Sequence, residues 1–193
     1  MIKVASGAHL DHKMNAKFNH LVQRADIYER RLCIQLNSTS RSTYVRTFFR
    51  AISRLGDGIF WYSLTAFLVF VHPQQGLFEG LHILATALTG VIIYKCLKEK
   101  LVRERPFVNN AIIQQAAPAL DRYSFPSGHT LHAFSFSIMF SYYIPELMPV
   151  VWCFTFLVSF SRVILGLNYP TDVLAGALIG STLALFSLFV FSF

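Results

Sequence analysis

Three polar clusters in this chain carry residue types suited to phosphate chemistry. In "KEKLVRERP", Lys98 and Arg105 stand seven residues apart, which is two helical turns and therefore one helix face. Arginine offers a planar fork of donors that matches phosphate oxygens, and lysine adds a compact charge. In "FPSGHT", Ser127 is a candidate N-cap, Gly128 lets a ligand come close to the backbone, and His129 follows directly. The free N–H groups and dipole of a helix start favour an anion, and an imidazole beside that anion could protonate a leaving oxygen. In "SRVILGLNYPTD", Ser161 and Arg162 precede Asn168 and Asp172. Each cluster also has a plain reading. The first could hold lipid headgroups, the second could be a capped helix with an incidental histidine, and Asp172 could be an N-cap. Arg162 resists such a reading, because a charge at a membrane boundary is costly unless it snorkels or pairs.

The elements that must position these clusters are membrane helices. The length of 193 residues suits one domain, 54% of the residues are hydrophobic, and only 14% are charged. Soluble domains carry roughly 25% charged residues. The mean hydropathy is +0.47, and the apolar residues come in long blocks. Five blocks predict spans at about 58–72, 77–96, 128–144, 147–165 and 172–193, with Gly176 and Gly180 as a small-residue face in the last. "LGDGIFW" reads as a glycine-flanked turn into the first. Short proline-containing links make hairpins of spans one and two and of spans three and four. All three polar clusters then fall at one end of the bundle.

Before the spans, residues 1–53 read as basic interfacial helices and 54–193 as the membrane core. One helix is expected over 14–36, with Phe18, Leu21, Val22, Ala25, Tyr28 and Leu32 on its apolar face. "NSTS" at 37–40 is expected to break it. A second, over 41–55, sets Phe48, Phe49, Ile52 and Leu55 against Arg46, Arg50 and Arg54. This topology puts all 17 Lys and Arg residues on one side of the membrane, which the positive-inside rule makes cytoplasmic. The net charge of +7 suits anionic lipid; no motif points to nucleic acid. Cys33, Cys96 and Cys153 are scattered and predict neither a disulfide framework nor a zinc site. Nothing in the sequence sets an oligomeric state.

Taken in order, Lys98 to Arg105-Pro106, Pro126-Ser127-Gly128-His129, and Ser161-Arg162 to Asp172 resemble the signature of the type-2 phosphatidic acid phosphatase superfamily over roughly residues 54–193. The resemblance implies an all-α integral membrane bundle, of about five spans here with the N-terminal segment in place of the usual first helix. It implies hydrolysis of a phosphate monoester or diphosphate on a membrane lipid, such as a polyprenyl diphosphate, phosphatidic acid or phosphatidylglycerophosphate. It implies no cofactor and no metal; a metal site from His129, His132 and Asp172 is the weaker alternative. Lys98, Arg105, Ser127, Gly128 and Arg162 would hold the phosphoryl oxygens, and His129 would be the general acid. Many bacterial relatives work in the inner membrane with the site facing the periplasm, opposite to the charge bias here.

The departure is at 168. The family pattern has there a histidine that attacks phosphorus, oriented by the aspartate matching Asp172. This chain has Asn168, whose amide has no lone pair to form a phospho-enzyme. Four readings follow: an engineered substitution, a natural lipid-phosphate binder, attack by a water that Asn168 orients, or another nucleophile, with His132 the candidate. A phosphotransferase is a further alternative to hydrolysis.

Overall fold

A computed structural model describes Arg24 and residues 26–191 of the chain. Among the described residues every regular element is helical. A first helix, α1, covers residues 26–39. It is followed by α2 (Thr43–Arg54), a π-helical segment (Leu55–Ile59), α3 (Phe60–Val71), α4 (Gly76–Lys100), the single turn α5 (Pro106–Asn109), α6 (Gly128–Tyr143), α7 (Met148–Ile164) and α8 (Pro170–Phe191). The chain passes from the end bearing the polar clusters to the far end along α3 and α6, and returns along α4 and α7. α8 crosses last. The outward sides are apolar: Phe70, Leu88, Ile92, Leu174, Leu178 and Leu185 are all exposed. No aqueous surface would be built this way, and a bilayer satisfies it.

Four helices are long and apolar enough to cross a membrane: Thr43–Val71, Gly76–Lys100, Pro145–Ile164 and Pro170–Phe191. The expected third span, α6, has 16 residues. At 1.5 Å per residue that is about 24 Å, short of a hydrocarbon core of about 30 Å. It sits inside the bundle against α4, α7 and α8, where lipid does not set its length. Its inner face is partly hydroxylic. Ser137 Oγ donates to the Val151 carbonyl at 3.1 Å and lies 2.6 Å from Thr155 Oγ1, whose hydroxyl donates to the Ala133 carbonyl at 3.1 Å. These bonds tie α6 to α7 where there is no water to compete. Trp61, Phe136, Phe140, Met139, Phe154 and Val158 fill the apolar core beside them. Near the far end, His82 bonds Tyr143 Oη at 2.6 Å and Ser187 Oγ at 2.7 Å, joining α4, α6 and α8.

The N-terminal helices depart from the expectation of separate interfacial elements. α2 runs through the π segment into α3, and Gly58 at φ 135° makes the kink. α2 also packs on α7. In α1 two members of the expected apolar face, Tyr28 and Leu32, point outward, and Phe18, Leu21, Val22 and Ala25 lie outside the described residues. The buried stripe is Glu29, Cys33 and Asn37, four residues apart. Asn37 Nδ2 donates to the Gln114 and Ile164 carbonyls, each at 3.0 Å, and its Oδ1 accepts from the Gln114 N–H at 2.8 Å. Tertiary hydrogen bonds therefore bury a polar face that the apolar periodicity does not mark. "NSTS" does not interrupt α1 at 37. Ser38 and Thr39 bond back to the Gln35 and Leu36 carbonyls, and the turn comes at Ser40.

The tightest helix contact is between α8 and α6. A methyl group added at Gly176 would stand 2.5 Å from the Ser127 carbonyl oxygen, and one at Gly180 would overlap that of Leu131. Both neighbours are backbone, so neither can swing aside. Gly180→Ala is expected to cost about 2 kcal/mol or more, seen as a lowered Tm in detergent. Gly90→Ala meets the movable ends of Leu131 and Leu183 at 3.0 and 3.3 Å and should cost less.

Candidate active site

The long connection from α4 to α6 folds back under the bundle and carries the first cation pair. Lys98, in the last turn of α4, is buried; its Nζ donates to Asp121 Oδ2 at 2.7 Å and to the Tyr123 carbonyl at 3.3 Å. Arg105 is the N-cap of α5, with Pro106 at the first helical position. Its Nε donates to the Asp121 carbonyl at 2.9 Å and its Nη1 to the Leu167 carbonyl at 2.6 Å. Asp121 thus links Lys98 and Arg105, although they do not share a helix as the spacing predicted. Burial lowers the Arg105 pKa below its usual value, partly offset by the charges of Asp121 and Asp172.

The turn after α7 brings up residue 168. Gly166 takes φ 74°, and the Leu167 and Asn168 N–H groups both return to the Arg162 carbonyl, at 3.0 and 3.1 Å. Arg162 is buried, with Nη1 donating to Ser53 Oγ at 2.6 Å and Nε to Asn168 Oδ1 at 3.3 Å. Asn168 Nδ2 donates to the Ser124 carbonyl at 2.6 Å. Both ends of the amide are therefore engaged by the protein.

His129 lies in the first turn of α6, and its Nε2 is hydrogen-bonded to Asp57 Oδ1. Sequence reasoning treated Asp57 as part of a turn. The π segment and the Gly58 kink instead aim it at a histidine 72 positions away. The available cue was an acidic residue at the mouth of a span. Ser127 occupies the N-cap position as expected, but it makes no side-chain cap bond; its hydroxyl lies 3.0 Å from Thr130 Oγ1. Gly128 faces the Tyr94 ring, where an added methyl would find ordinary contact at 3.4 Å. His132 turns edge-on to Tyr94, with centroids 5.7 Å apart. A small cavity of about 150 Å³ opens beside His129 and His132, walled by Trp61, Val91, Tyr94 and Phe136.

Asp172 does not pair with residue 168. It lies inside the first turn of α8 rather than before it, and its Oδ2 accepts the Tyr169 N–H at 2.8 Å. This is the reach-back half of a capping box. Its Oδ1 accepts from Arg103 Nη1 at 2.7 Å, while Arg103 Nη2 donates to Glu29 Oε2, also at 2.7 Å. Glu29 Oε1 accepts from the Thr171 N–H at 2.9 Å. Burial alone would lower the Arg103 pKa, but the Asp172 and Glu29 carboxylates outweigh it and hold it above its usual value. The same surroundings favour the charged form of Arg103 and disfavour that of Cys33. Burial first, then Glu29 and Asp172, push its thiol up to about 12 against the opposing charge of Arg103. Arg103 and Glu29 were not singled out in the sequence, because neither belongs to a cluster of recognised spacing. Among the described residues, no group of three or more His, Cys, Asp or Glu side chains is placed to hold a metal ion.

The expected phosphate ligands and His129 thus gather at one end of the bundle. Comparisons with known proteins bear on the family and the fold. An undecaprenyl-diphosphatase of Sulfolobus acidocaldarius is 28% identical over 139 residues, 70% of this chain and 66% of the relative. Phosphatidylglycerophosphatase B of Bacillus subtilis is 29% identical over 137 residues, 65% of this chain and 59% of the relative. The chain therefore spans somewhat less than two thirds of the length of these relatives. Among solved structures, Aquifex aeolicus LpxE superposes with a TM-score of 0.71 at 24% identity, covering 82% of this chain and 93% of the other. A transmembrane PAP2-type phosphatidylglycerolphosphate phosphatase from Bacillus subtilis superposes at 0.73 with 23% identity, covering 89% and 87%. The model of the PAP2 superfamily matches residues 79–192, which hold all three polar clusters and more than half of the sequence, and the chain belongs to that superfamily.

Proposed function

We propose that this site binds the phosphoryl end of a membrane lipid, in a lipid phosphatase whose turnover is limited at residue 168. One observation carries the reading. Arg105 and Arg162 are both buried, and among the described residues every hydrogen-bond acceptor they use is neutral: two carbonyls for Arg105, a hydroxyl and an amide for Arg162. A buried guanidinium with no carboxylate hydrogen-bonded to it is costly, and an arriving anion lowers that cost. A tetrahedral phosphoryl group, contacted by forked donors, is the ligand such a pair recognises. Lys98 adds a third charge once Asp121 yields it.

In this reading Lys98, Arg105 and Arg162 neutralise the phosphoryl oxygens, with Ser127 and the Gly128 backbone beside them. His129, held by Asp57, stands where it can protonate the leaving oxygen. The lipid chain follows the apolar wall of Trp61, Val91 and Phe136. Polyprenyl diphosphate, phosphatidic acid and phosphatidylglycerophosphate are the substrate classes that fit. Asn168 cannot form the covalent intermediate. Its amide is also committed to Ser124 and Arg162, which disfavours its orienting an attacking water. The chain as it stands is expected to bind lipid phosphate and to release little of it. A histidine at 168 can share Asp172, since a carboxylate has about four acceptor positions.

Purified protein given a panel of lipid phosphates is expected to release phosphate slowly, and Asn168→His to release it at least ~100-fold faster, as restoring a nucleophile demands. Equal rates for the unchanged chain and Asn168→Ala, both well above background, would place the nucleophile elsewhere. For orientation, the charge bias puts the site in the cytoplasm. A cysteine introduced at exposed Gln115, in the loop beneath the site, should then resist an impermeant maleimide in intact cells and react after lysis. Labelling from outside would reverse the topology.

A further inference from the structure

α2 lies outside the segment matched by the family model and outside the three clusters, yet it walls a cleft against the 116–120 segment. The cleft has a volume of about 590 Å³ and is lined by Arg50, Ser53, Arg54, Asp57, Leu120 and Arg162, among others. The spacing 50, 53, 54, 57 is one helical stripe, so α2 and its π extension turn a polar edge toward the space. Three guanidinium groups face it against one carboxylate, and that carboxylate is hydrogen-bonded to His129. Arg50 spends Nε on the Ala116 carbonyl, which pins α2 to the opposite wall. Among the described residues Arg54 has no hydrogen bond or ion pair. Arg162, at the inner end, is the cation common to this cleft and to the phosphoryl site.

We propose that Arg50 and Arg54 form a second anion subsite, so that the site takes a lipid carrying two adjoining phosphoryl groups. This rests on the reading that Arg105 and Arg162 receive a phosphoryl group. One phosphoryl sits with Lys98, Arg105 and Arg162; its neighbour sits with Arg54 and the remaining donors of Arg50. Two cation groups meeting at Arg162 match two anionic groups joined by one bridging oxygen. A lipid monophosphate would leave the α2 arginines facing water. The excess of positive charge over the single engaged carboxylate points the same way. The apolar cavity beside His129 takes the chain.

Calorimetry on the whole chain in detergent tests this without requiring turnover. The probes are inorganic phosphate, pyrophosphate, farnesyl phosphate and farnesyl diphosphate. Pyrophosphate is expected to bind at least tenfold more tightly than phosphate, and farnesyl diphosphate more tightly than either. Arg54→Gln should cut the diphosphate-to-monophosphate ratio about fivefold in both pairs. Arg41→Gln, which removes the same charge at an exposed position before α2 and outside the cleft lining, should leave it unchanged. If phosphate and farnesyl phosphate bind but the ratio is near one, or Arg54→Gln does not move it beyond the Arg41→Gln control, the subsite is overturned while the phosphoryl reading stands. If no probe binds, the phosphoryl reading itself fails, and the subsite with it. Pyrophosphate binding as tightly as farnesyl diphosphate would overturn the lipid as ligand.

Discussion

The structure turns on guanidinium charge kept out of water without a carboxylate beside it. Arg162 is buried at the end of α7, and among the described residues its guanidinium donates to the Ser53 hydroxyl and the Asn168 carbonyl oxygen. Removing such a charge from solvent costs several kcal/mol, and neutral acceptors recover only part of it. The rest of the fold must therefore hold Arg162 against that cost. α2 supplies Ser53, the Gly166 turn supplies Asn168, and Arg105 is drawn alongside through the Leu167 carbonyl. Carboxylates are available nearby, but each is used elsewhere: Asp172 and Glu29 hold Arg103, Asp121 holds Lys98, and Asp57 holds His129.

That distribution divides the polar end into two kinds of network. Around Arg103 one guanidinium joins two carboxylates, and the result is mechanical: it ties together α1, the α4–α6 connection and the start of α8. Around Arg105 and Arg162 the hydrogen-bond acceptors are carbonyls, a hydroxyl and an amide, which is the arrangement the proposed phosphoryl site rests on. The division explains why α1 turns Glu29, Cys33 and Asn37 inward and leaves Tyr28 and Leu32 outside. Its polar side completes the network around Arg103.

The helical frame serves the same end. α6 is too short to span a bilayer alone, but its first turn must sit level with Arg162 and the mouth of α3. Close approach at Gly176 and Gly180 fixes its height against α8, since any side chain there would meet the backbone at Ser127 or Leu131. The kink at Gly58 does the equivalent for α3 by turning Asp57 onto His129. Both devices act on the backbone, which transmits position with less slack than side chains do.

Much of this was legible in the sequence. The apolar blocks announced the membrane helices, because a bilayer admits few other structures. The spacing of Lys98, Arg105, Ser127, His129, Arg162 and Asp172 announced the polar end and the family. That residue 168 is asparagine, where the family pattern has a histidine, was plain without any coordinates, since that is a matter of residue type. Only the tertiary structure decided the partners. Asp57, Arg103 and Glu29 sit in no motif, and their roles depend on which helices come together. Asp172 pairs with Arg103 instead of residue 168, and α1 buries the face that periodicity would have left outside. Residue types fix which chemistry is possible and which segments seek lipid. Hydrogen bonds between residues 72 or 142 positions apart depend on how the helices pack, and no local pattern encodes that.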